Sequence, residues 1–553
     1  MRKQDADPSG RATMEFMCGI VAAFGGTAVG TPKDTEKYER MLARVAHRGP
    51  DDTGVVVVGN TWLGHQRLSI MDVSGGHQPM SDAAETAWIV GNGEIYNHER
   101  ISAEFPDGTV RTKSDTEAAL HALMREGQIA VGSLNGMFAV AMGRADGSGL
   151  VARDPMGVKP LYWIPAADLA DGGDDTVPYT APDPSTTVLF ASELRAFDPE
   201  DRPLVESFPP GCLWSPASGL VRYADAVPVE VRPARRAEQP RWDEAVLDRV
   251  RDAVIAAVRR RMMSDVGVGV FLSGGLDSAL VAAIAAREAT ARGEVLPTFA
   301  VGTEGSGDLV AARRVAEHIG SDHHEIVVSA SDIGEALDHA VEVIEHFDPA
   351  LVRSAVPNLL LAREASKKVK VVLTGEGADE LFAGYSYIHG PEYAHPSTLH
   401  AELVRSLEQL HHLNLQRCDR TTMYVGLEAR EPFLDSALVR TALALPPEWK
   451  QCPDGRPEKA ILREAFEGWL PEDLLWRGKE QFGDGSGAGT VLAELAARKA
   501  DAARERGETR SVPGQPVDSW PLRSEEEFLY YEIWQGHFAG IRPSHVLGAF
   551  ATA

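Results

Sequence analysis

The chain of 553 residues contains few cysteines, and their spacing excludes several kinds of site. There are four: Cys18, Cys212, Cys418 and Cys452. They do not form the close pairs of a zinc site, and nothing in their spacing indicates a disulfide framework. We therefore expect free thiols and a reducing, cytoplasmic environment.

Positive charge is also scarce. The 55 Lys and Arg residues face 81 Asp and Glu residues, which gives a net charge of −26. This balance argues against a surface for nucleic acid or for an anionic membrane. No apolar run approaches the roughly 18 residues of a membrane helix, and residues 1–17 lack the apolar segment of a secretory signal. We expect a soluble protein whose partners are small molecules.

The length predicts two domains. Residues 18–224 alternate short apolar strands with Gly-, Asn- and Asp-rich turns, with helices near 33–46 and 115–127, which predicts an α+β domain with mainly antiparallel sheets. Residues 225–240 are rich in proline and charge and are expected to form a linker. In residues 241–553 strands alternate with helices, which predicts a doubly wound parallel α/β sheet that binds ligands beyond its strand C-termini. From about residue 385 onward the pattern is mostly helical.

A nucleotide site is predicted where the strand at 266–272 ends. The segment Ser273-Gly274-Gly275-Leu276-Asp277-Ser278 leads directly into a helix, and free N–H groups at a helix N-terminus suit a phosphate or pyrophosphate. The segment lacks the Gly-Lys-Ser/Thr ending of a Walker A loop. An ordinary Gly-rich turn is the alternative, and the acid and two hydroxyls weigh against it.

A second strand end, at Val371–Leu373, supports this site. It is followed by Thr374-Gly375-Glu376-Gly377-Ala378-Asp379-Glu380. Asp277 and Asp379, at adjacent strand ends, are expected to hold a Mg²⁺ that carries the leaving pyrophosphate. Taken separately, each acid would be read as a solvated loop residue.

Several N-terminal segments occur in an order and spacing that carry a family resemblance. They are Met17-Cys18-Gly19-Ile20, His47-Arg48-Gly49-Pro50-Asp51, His65-Gln66-Arg67-Leu68-Ser69-Ile70, Asn92-Gly93-Glu94-Ile95-Tyr96-Asn97 and Ser114-Asp115. Together they resemble the N-terminal-nucleophile glutaminase domain of asparagine synthetases. Alone, Cys18 would be read as a small buried apolar residue; within this set it is the expected nucleophile.

The second half resembles the same family. Residues 273–278 are similar to the pyrophosphate loop of ATP pyrophosphatases, and residues 426–435 and 458–463 are similar to asparagine synthetases. The resemblance implies a glutaminase domain joined to an adenine-nucleotide α-hydrolase-like domain. It also implies that ammonia passes internally from one to the other.

The resemblance implies a role for each matching residue. In the glutaminase half, Cys18 attacks glutamine, and Asn92 and Gly93 form the oxyanion hole. The implied glutamine contacts are Arg67, Leu68, Ser69, Ile70, Asn92, Gly93, Glu94 and Asp115. In the other half, Glu376 is the base for ammonia, and Lys479 stabilises the developing charge. The implied ATP contacts are Leu272, Ser273, Gly274, Gly275, Asp277, Ser278, Val301, Thr374, Gly375 and Lys479, and the implied aspartate contacts are Arg353, Glu380 and Arg417.

The implied reaction is ATP-dependent synthesis of asparagine from aspartate through β-aspartyl-AMP, with glutamine as the nitrogen donor and ATP and Mg²⁺ as cofactors. The oligomeric state stays open, with a homodimer as one option. Two rival functions also stay open: an amidotransferase acting on another carboxylate, and a non-enzymatic binding protein with a degenerate site.

Two departures from the family pattern bear on these expectations. Seventeen residues precede Cys18, so its nitrogen is a non-basic amide unless residues 1–17 are removed or translation starts at Met17. The other departure is Ala350-Leu351, where much of the family has a Thr pair. This second difference bears on the identity of the acceptor.

Overall fold

The computed structural model describes residues 18–25, 29–49, 51–165, 186–228, 231, 241–451, 455–479, 485–505, 516–517 and 520–550. The predicted extension 1–17 and most of the predicted linker 225–240 lie outside the described residues.

The N-terminal part is built from two six-stranded antiparallel sheets. The strands are β1 (Gly19–Phe24), β2 (Asp52–Val58), β3 (Thr61–Arg67), β4 (Met80–Ser81), β5 (Ala87–Ile95), β6 (Gly136–Arg144), β7 (Gly149–Arg153), β8 (Tyr162–Ile164), β9 (Val188–Ala191), β10 (Glu206–Ser207), β11 (Cys212–Ser215) and β12 (Gly219–Arg222). One sheet has the order β10-β8-β9-β1-β3-β2 and the other β12-β11-β7-β6-β5-β4. The predicted antiparallel α+β architecture is confirmed.

The alternation along β1 shows why the sheets stack. Successive side chains of a strand lie on opposite faces. Ile20, Ala22 and Phe24 pack with the second sheet, whereas Val21 and Ala23 pack against the first helix. The helices of this part are α1 (Pro32–Arg44), α2 (His98–Ser102) and α3 (Asp115–Glu126). Helix α3 packs on the second sheet, so the sheets lie between helical layers.

The C-terminal part contains the predicted parallel sheet, with strand order β15-β14-β13-β16-β17. Its strands are β13 (Val268–Phe271), β14 (Pro297–Gly302), β15 (Asp322–Val327), β16 (Val371–Leu373) and β17 (Glu428–Arg430). Its helices are α4 (Glu244–Arg261), α5 (Leu276–Ala291), α6 (Gly307–Ile319), α7 (Ala330–Ile344), α8 (Pro349–Ala365), α9 (Ala378–Phe382), α10 (Pro396–Gln409), α11 (Asn414–Met423), α12 (Ser436–Leu443), α13 (Ala460–Ala465), α14 (Glu472–Leu475), α15 (Ala488–Glu505), α16 (Glu525–Phe538) and α17 (Pro543–Val546). Helices α4 to α6 cover one face, and α7 and α8 cover the other.

Residues beyond 385 are mostly helical, as predicted, but they also form short strands that the prediction did not include. Strand β17 lies in that region, as does a short hairpin formed by β18 (Pro516–Val517) and β19 (Trp520–Pro521). Strand β17 is three residues long, and two of them, Glu428 and Arg430, are charged. Ion pairs and hydrogen bonds to the neighbouring strand β16 therefore stabilise β17. Because these interactions do not require alternating apolar residues, the sequence shows no strand pattern here.

Buried ion pairs join the two parts. Arg48 Nη1 lies 2.9 Å from Asp419 Oδ2, and Arg430 Nη2 lies 2.9 Å from Glu94 Oε1. Paired buried charges are costly to separate, because each would be left uncompensated. The two parts are therefore held in a definite relative position. Among the described residues, none of the helices combines the length and apolar character needed to cross a membrane.

Candidate active sites

Cys18 lies immediately before β1 and is half-buried. Its Sγ lies 3.7 Å from the carbonyl oxygen of Leu68, and its own carbonyl accepts a hydrogen bond from Arg48 Nε at 3.1 Å. Burial raises the pKa of the Cys18 thiol to about 12, against a smaller lowering by the Leu68 hydrogen bond. The thiol is therefore neutral at physiological pH, and a base must remove its proton before it can act as a nucleophile.

The strand that carries Asn92 and Gly93 is tied to the strand opposite Cys18. His65 of β3 pairs in register with Ile20, and its Nε2 lies 3.0 Å from the carbonyl oxygen of Gly91 in β5. Neither side-chain polar atom of Asn92 has a hydrogen-bond partner among the described residues, although both are buried. A buried amide without a partner is unusual, and such a donor suits an oxyanion.

Gly93 is required by its backbone. Its φ is +123°, and an added Cβ would lie 1.9 Å from the carbonyl oxygen of Met137. No other residue fits this conformation and this approach between β5 and β6. The glycine therefore sets the path of the backbone directly after Asn92.

Arg67 and Asp115 are two of the residues expected to contact glutamine. Arg67 donates to the carbonyl oxygens of Asp72 at 2.8 Å and of Met71 and Val73 at 3.2 Å, so it holds the loop that follows the 67–70 segment. Asp115 accepts hydrogen bonds from Ile95 N at 2.6 Å and Thr116 N at 2.8 Å. Burial nevertheless raises the pKa of Asp115, as expected of a buried carboxyl that forms no ion pair with the residues that the structure describes.

In the C-terminal part, one cavity of about 620 Å³ lies at the strand C-termini of the parallel sheet. Every residue predicted to bind ATP, aspartate or the metal ion lines this cavity. They are Leu272 to Ser278, Val301, Arg353, Thr374, Gly375, Asp379, Glu380, Arg417 and Lys479, and the proposed base Glu376 lines it as well. They come from several distant segments of the chain. The doubly wound topology brings them together, because the C-terminal ends of parallel strands meet at one edge.

The loop after β13 needs glycine at position 274 because it packs closely against helix α6. Gly274 has φ +74°, and an added Cβ would lie 2.7 Å from the Cβ of Ala311. Ser273 Oγ and Ser278 Oγ are 3.0 Å apart, and Ser278 Oγ donates to the carbonyl oxygen of Gly275 at 3.1 Å. The loop ends at the N-terminus of the 16-residue helix α5, whose free N–H groups favour an anion.

A lysine that the sequence analysis did not assign lies between the two predicted metal ligands. Lys459 Nζ is 2.5 Å from Asp277 Oδ2 and 2.5 Å from Asp379 Oδ1. Lys479 Nζ is also 2.5 Å from Asp379 Oδ1. Burial acts to raise the pKa of Asp379, but the two ammonium groups outweigh it and hold that pKa well below its usual range.

The signal for Lys459 was present in the sequence. It belongs to the 458–463 stretch that resembles the family, but a single lysine carries no spacing that indicates a ligand. The structure reveals it because helix α13 begins beside the two strand ends.

The predicted base, Glu376, and the residues predicted to bind aspartate form ion pairs and hydrogen bonds within the cavity. Glu376 contacts Arg417, and burial raises the pKa of Glu376 against the opposing effect of this arginine. Arg353 Nε donates to Glu526 Oε1 at 2.9 Å. Burial also raises the pKa of Glu380 to about 7. A carboxyl in this range can accept or donate a proton near neutral pH.

Comparison with known proteins agrees with this two-site arrangement. Residues 17–207 match the glutamine amidotransferase domain family, and residues 249–396 and 391–539 match the asparagine synthase family. The chain is 36% identical over 547 residues to asparagine synthetase B [glutamine-hydrolyzing] of Escherichia coli (strain K12), covering 94% of this chain and 91% of that protein. It is 36% identical over 540 residues to asparagine synthetase [glutamine-hydrolyzing] 3 of Arabidopsis thaliana, covering 94% and 88%. It is 38% identical over 492 residues to the corresponding enzyme of Asparagus officinalis, covering 85% and 78%. The chain belongs to the glutamine-hydrolysing asparagine synthetases.

Proposed function

We propose that this chain makes asparagine from aspartate, ATP and glutamine. The observation that carries the proposal is the presence of two complementary sites in one chain. One part contains the half-buried Cys18 at the start of β1 and, on β5, the buried Asn92 amide, which has no hydrogen-bond partner among the described residues; β3 pairs with β1 and its His65 contacts the Gly91 carbonyl of β5. The other part contains the 620 Å³ cavity, with the 273–278 loop and a buried Asp–Lys cluster.

In the glutaminase half, the Cys18 thiolate attacks the side-chain amide of glutamine. Asn92 and the N–H of Gly93 donate to the oxygen of the tetrahedral intermediate. Arg67 binds the α-carboxylate, and Asp115 with the Glu94 backbone binds the α-ammonium. Collapse of the intermediate releases ammonia and leaves a glutamyl thioester, which water hydrolyses to glutamate.

In the synthetase half, the β-carboxylate of aspartate attacks the α-phosphorus of ATP and expels pyrophosphate. The loop 273–278 and the N-terminus of α5 bind the phosphates, and Lys459 and Lys479 stabilise the charge that develops on pyrophosphate. Ammonia then displaces AMP, and Glu376 accepts the proton that the attacking nitrogen loses. Arg353, Arg417 and Glu380 are proposed to orient the acceptor.

We also propose that Asp277 and Asp379 hold a Mg²⁺. Asp277 Oδ1 is buried and has no hydrogen-bond partner among the described residues, which fits an oxygen ligand. The described residues contain no cluster of three or more metal-ligating side chains, and Mg²⁺ typically completes its shell with substrate phosphates and water. Such an ion supplies charge neutralisation to the leaving pyrophosphate.

A different carboxylate is the alternative acceptor. Ala350 lines the cavity and Leu351 is fully buried at the start of α8, next to the turn that carries Arg353. These two positions therefore offer no hydroxyl to a polar substrate, whereas Ser354, one turn further along α8, lines the cavity.

We further propose a cytoplasmic location, which the absence of a disulfide among Cys18, Cys212 and Cys418 supports. Small molecules are the proposed partners, and sedimentation at enzyme concentrations would decide between a monomer and the homodimer that was left open.

Exchange of labelled pyrophosphate into ATP tests the acceptor directly. Aspartate should support exchange in the absence of any nitrogen source, and glutamine or ammonium should then yield asparagine. Exchange with another amino-dicarboxylate and none with aspartate would overturn the proposal in favour of the alternative acceptor. No exchange with any carboxylate would favour a binding protein.

A further inference from the structure

Glu431 lies at the junction of the two parts and has no role in the scheme above. It directly follows β17, whose Arg430 pairs in parallel register with Leu373 of β16. The N–H of Thr374 donates to the carbonyl oxygen of Arg430 at 3.0 Å. Glu431 therefore leaves the sheet at the same edge as Thr374 and Glu376, which line the cavity.

The Glu431 side chain is buried with an unsatisfied acceptor. The residue is 4% exposed, and its Oε2 has no hydrogen-bond partner among the described residues. Neighbouring carboxylates have cationic partners: Asp419 has Arg48, Glu428 has Arg430, and Glu376 has Arg417. A buried carboxylate without such a partner is destabilising, so its oxygen is available to a donor that arrives during turnover.

The charges that act on Glu431 come from both halves of the protein. They belong to Lys159 of the glutaminase part and to Asp419, Glu376 and Glu428 of the synthetase part. The Glu431 charge also acts on the Cys418 thiol, which lines the cavity. Lys159 Nζ lies 3.5 Å from Glu428 Oε2 and is thus engaged elsewhere. A Cβ added at Gly93 would lie 3.0 Å from Lys159 Cγ, so Lys159 borders the expected glutamine site. Glu431 therefore lies between a residue next to Gly93 and the proposed base, Glu376.

We propose that the Glu431 carboxylate binds ammonium between the two active sites and deprotonates it, so that ammonia reaches Glu376. The inference rests on the proposed function, in which ammonia leaves glutamine at Cys18 and is consumed in the cavity. Ammonia that takes a proton from water on the way, or ammonium that enters from solution, reaches Glu431 as ammonium. An ammonium N–H donates to Oε2. That N–H bond breaks, its electron pair remains on nitrogen as ammonia, and the proton forms the O–H of a neutral Glu431. The carboxyl then releases the proton to water.

The surroundings give Glu431 the proton affinity that this step requires. Burial raises the pKa of Glu431 to about 8, with Lys159 opposing the rise and Asp419, Glu376 and Glu428 adding to it. A carboxyl with an ordinary pKa would be a much weaker base toward ammonium. Because Glu431 is ionised only above about pH 8, its contribution to ammonium use should increase as the pH rises through this value.

The decisive variant is Glu431→Gln, which keeps the size and removes the charge and the basicity. We expect the KM for ammonium chloride in ammonia-dependent synthesis to rise about ten-fold or more, since a hydrogen bond to a charged group is lost. With glutamine, more glutamate should be released per asparagine formed. Aspartate-dependent pyrophosphate exchange, which needs no nitrogen, should be unchanged and would show that the variant is folded. Glu206→Gln is the matched control, because burial also raises the pKa of Glu206 and it lies in β10, outside both sites.

A measurement on the unmodified protein covers the case of a variant that does not fold. Potassium and rubidium ions, which resemble ammonium in size and charge, should raise the KM for ammonium, whereas lithium should not. An unchanged KM, an unchanged glutamate-to-asparagine ratio and no effect of potassium would overturn the proposal. An unmodified protein that forms no asparagine from either nitrogen source would instead contradict the proposed function.

Discussion

Cys18 lies in surroundings that disfavour its reactive form. Burial raises the pKa of its thiol to about 12, and no histidine adjoins it in sequence. A buried thiol of this kind is inert without an activating base. The free α-amine of a terminal cysteine, with a pKa of about 7.7–8.0, is such a base. The residue identity and its position before β1 were predictable from sequence; the extent of its burial was not.

Replacement of the thiol should separate the two activities. We expect Cys18→Ala to abolish asparagine formation with glutamine while leaving formation with ammonium nearly unchanged, because the synthetase half does not use the thiol. Both rates are measured by asparagine release. Cys212→Ala removes a buried thiol from the core between the sheets and should retain both activities. Loss of both in Cys18→Ala would contradict the two-site scheme.

Asp379 is held ionised by Lys459 and Lys479. Asp379→Asn leaves both ammonium groups without this carboxylate and weakens the proposed metal site. We expect aspartate-dependent pyrophosphate release to fall by about 10²-fold or more with either nitrogen source. Asp146→Asn, at an exposed turn between β6 and β7, is the control. Normal pyrophosphate release by Asp379→Asn would show that Asp379 has only a structural role.

At the scale of elements, strong periodicity was sufficient to predict most strands and helices. Strand β13 and helices α1 and α3 were predicted within about two residues, because apolar residues recur at the spacing of each element. Strand β17 was missed because Glu428 and Arg430 replace the apolar pattern, and only pairing with β16 and Glu94 makes this segment a strand. A local sequence pattern cannot indicate that a charged side chain will be buried in an ion pair with a residue of the other domain.

Arg430 should therefore contribute strongly to stability. It pairs with Glu428 at 2.6 Å and with Glu94 at 2.9 Å, and it is fully buried. Arg430→Ala removes the ion-pair partner that Glu94 has among the described residues and leaves Glu428 with Lys159 alone, and removing one member of a buried pair costs about 3–5 kcal/mol. Chemical denaturation would measure this change in the free energy of unfolding. Arg249→Ala, on the exposed side of α4, should change the free energy of unfolding by less than about 0.5 kcal/mol. Equal effects of the two substitutions would contradict a stabilising role of the Arg430 ion pairs.

At the scale of the whole molecule, the two parts share buried charges. Arg48 bonds to the Cys18 carbonyl, to Glu193 and to Asp419, so the start of β1 and helix α11 are linked through one side chain. The glutamine site therefore cannot shift far without disturbing the synthetase part.

The N-terminus of the active protein follows from the same site. We expect mass spectrometry of fully active enzyme to show Cys18 as the first residue. A chain that retains residues 1–17 should lose about 10²–10⁴-fold in glutaminase rate, which is the usual contribution of a general base, and keep ammonia-dependent synthesis. A variant with Cys18 placed directly after the initiator Met is the comparison. Full glutaminase activity in protein that begins at Met1 would require another base.

The sequence by itself predicted the reaction class, because Cys18, Asn92-Gly93 and the 273–278 loop belong to segments whose order and spacing resemble those of asparagine synthetases and ATP pyrophosphatases. It also determined most elements, since their apolar spacing is local. Only the tertiary structure decided that Lys459 lies between Asp277 and Asp379, that Arg430 reaches Glu94, and that Glu431 is buried with an unpartnered oxygen. Each of these depends on contacts between segments far apart in the chain, and burial and charge compensation arise only when those segments pack together.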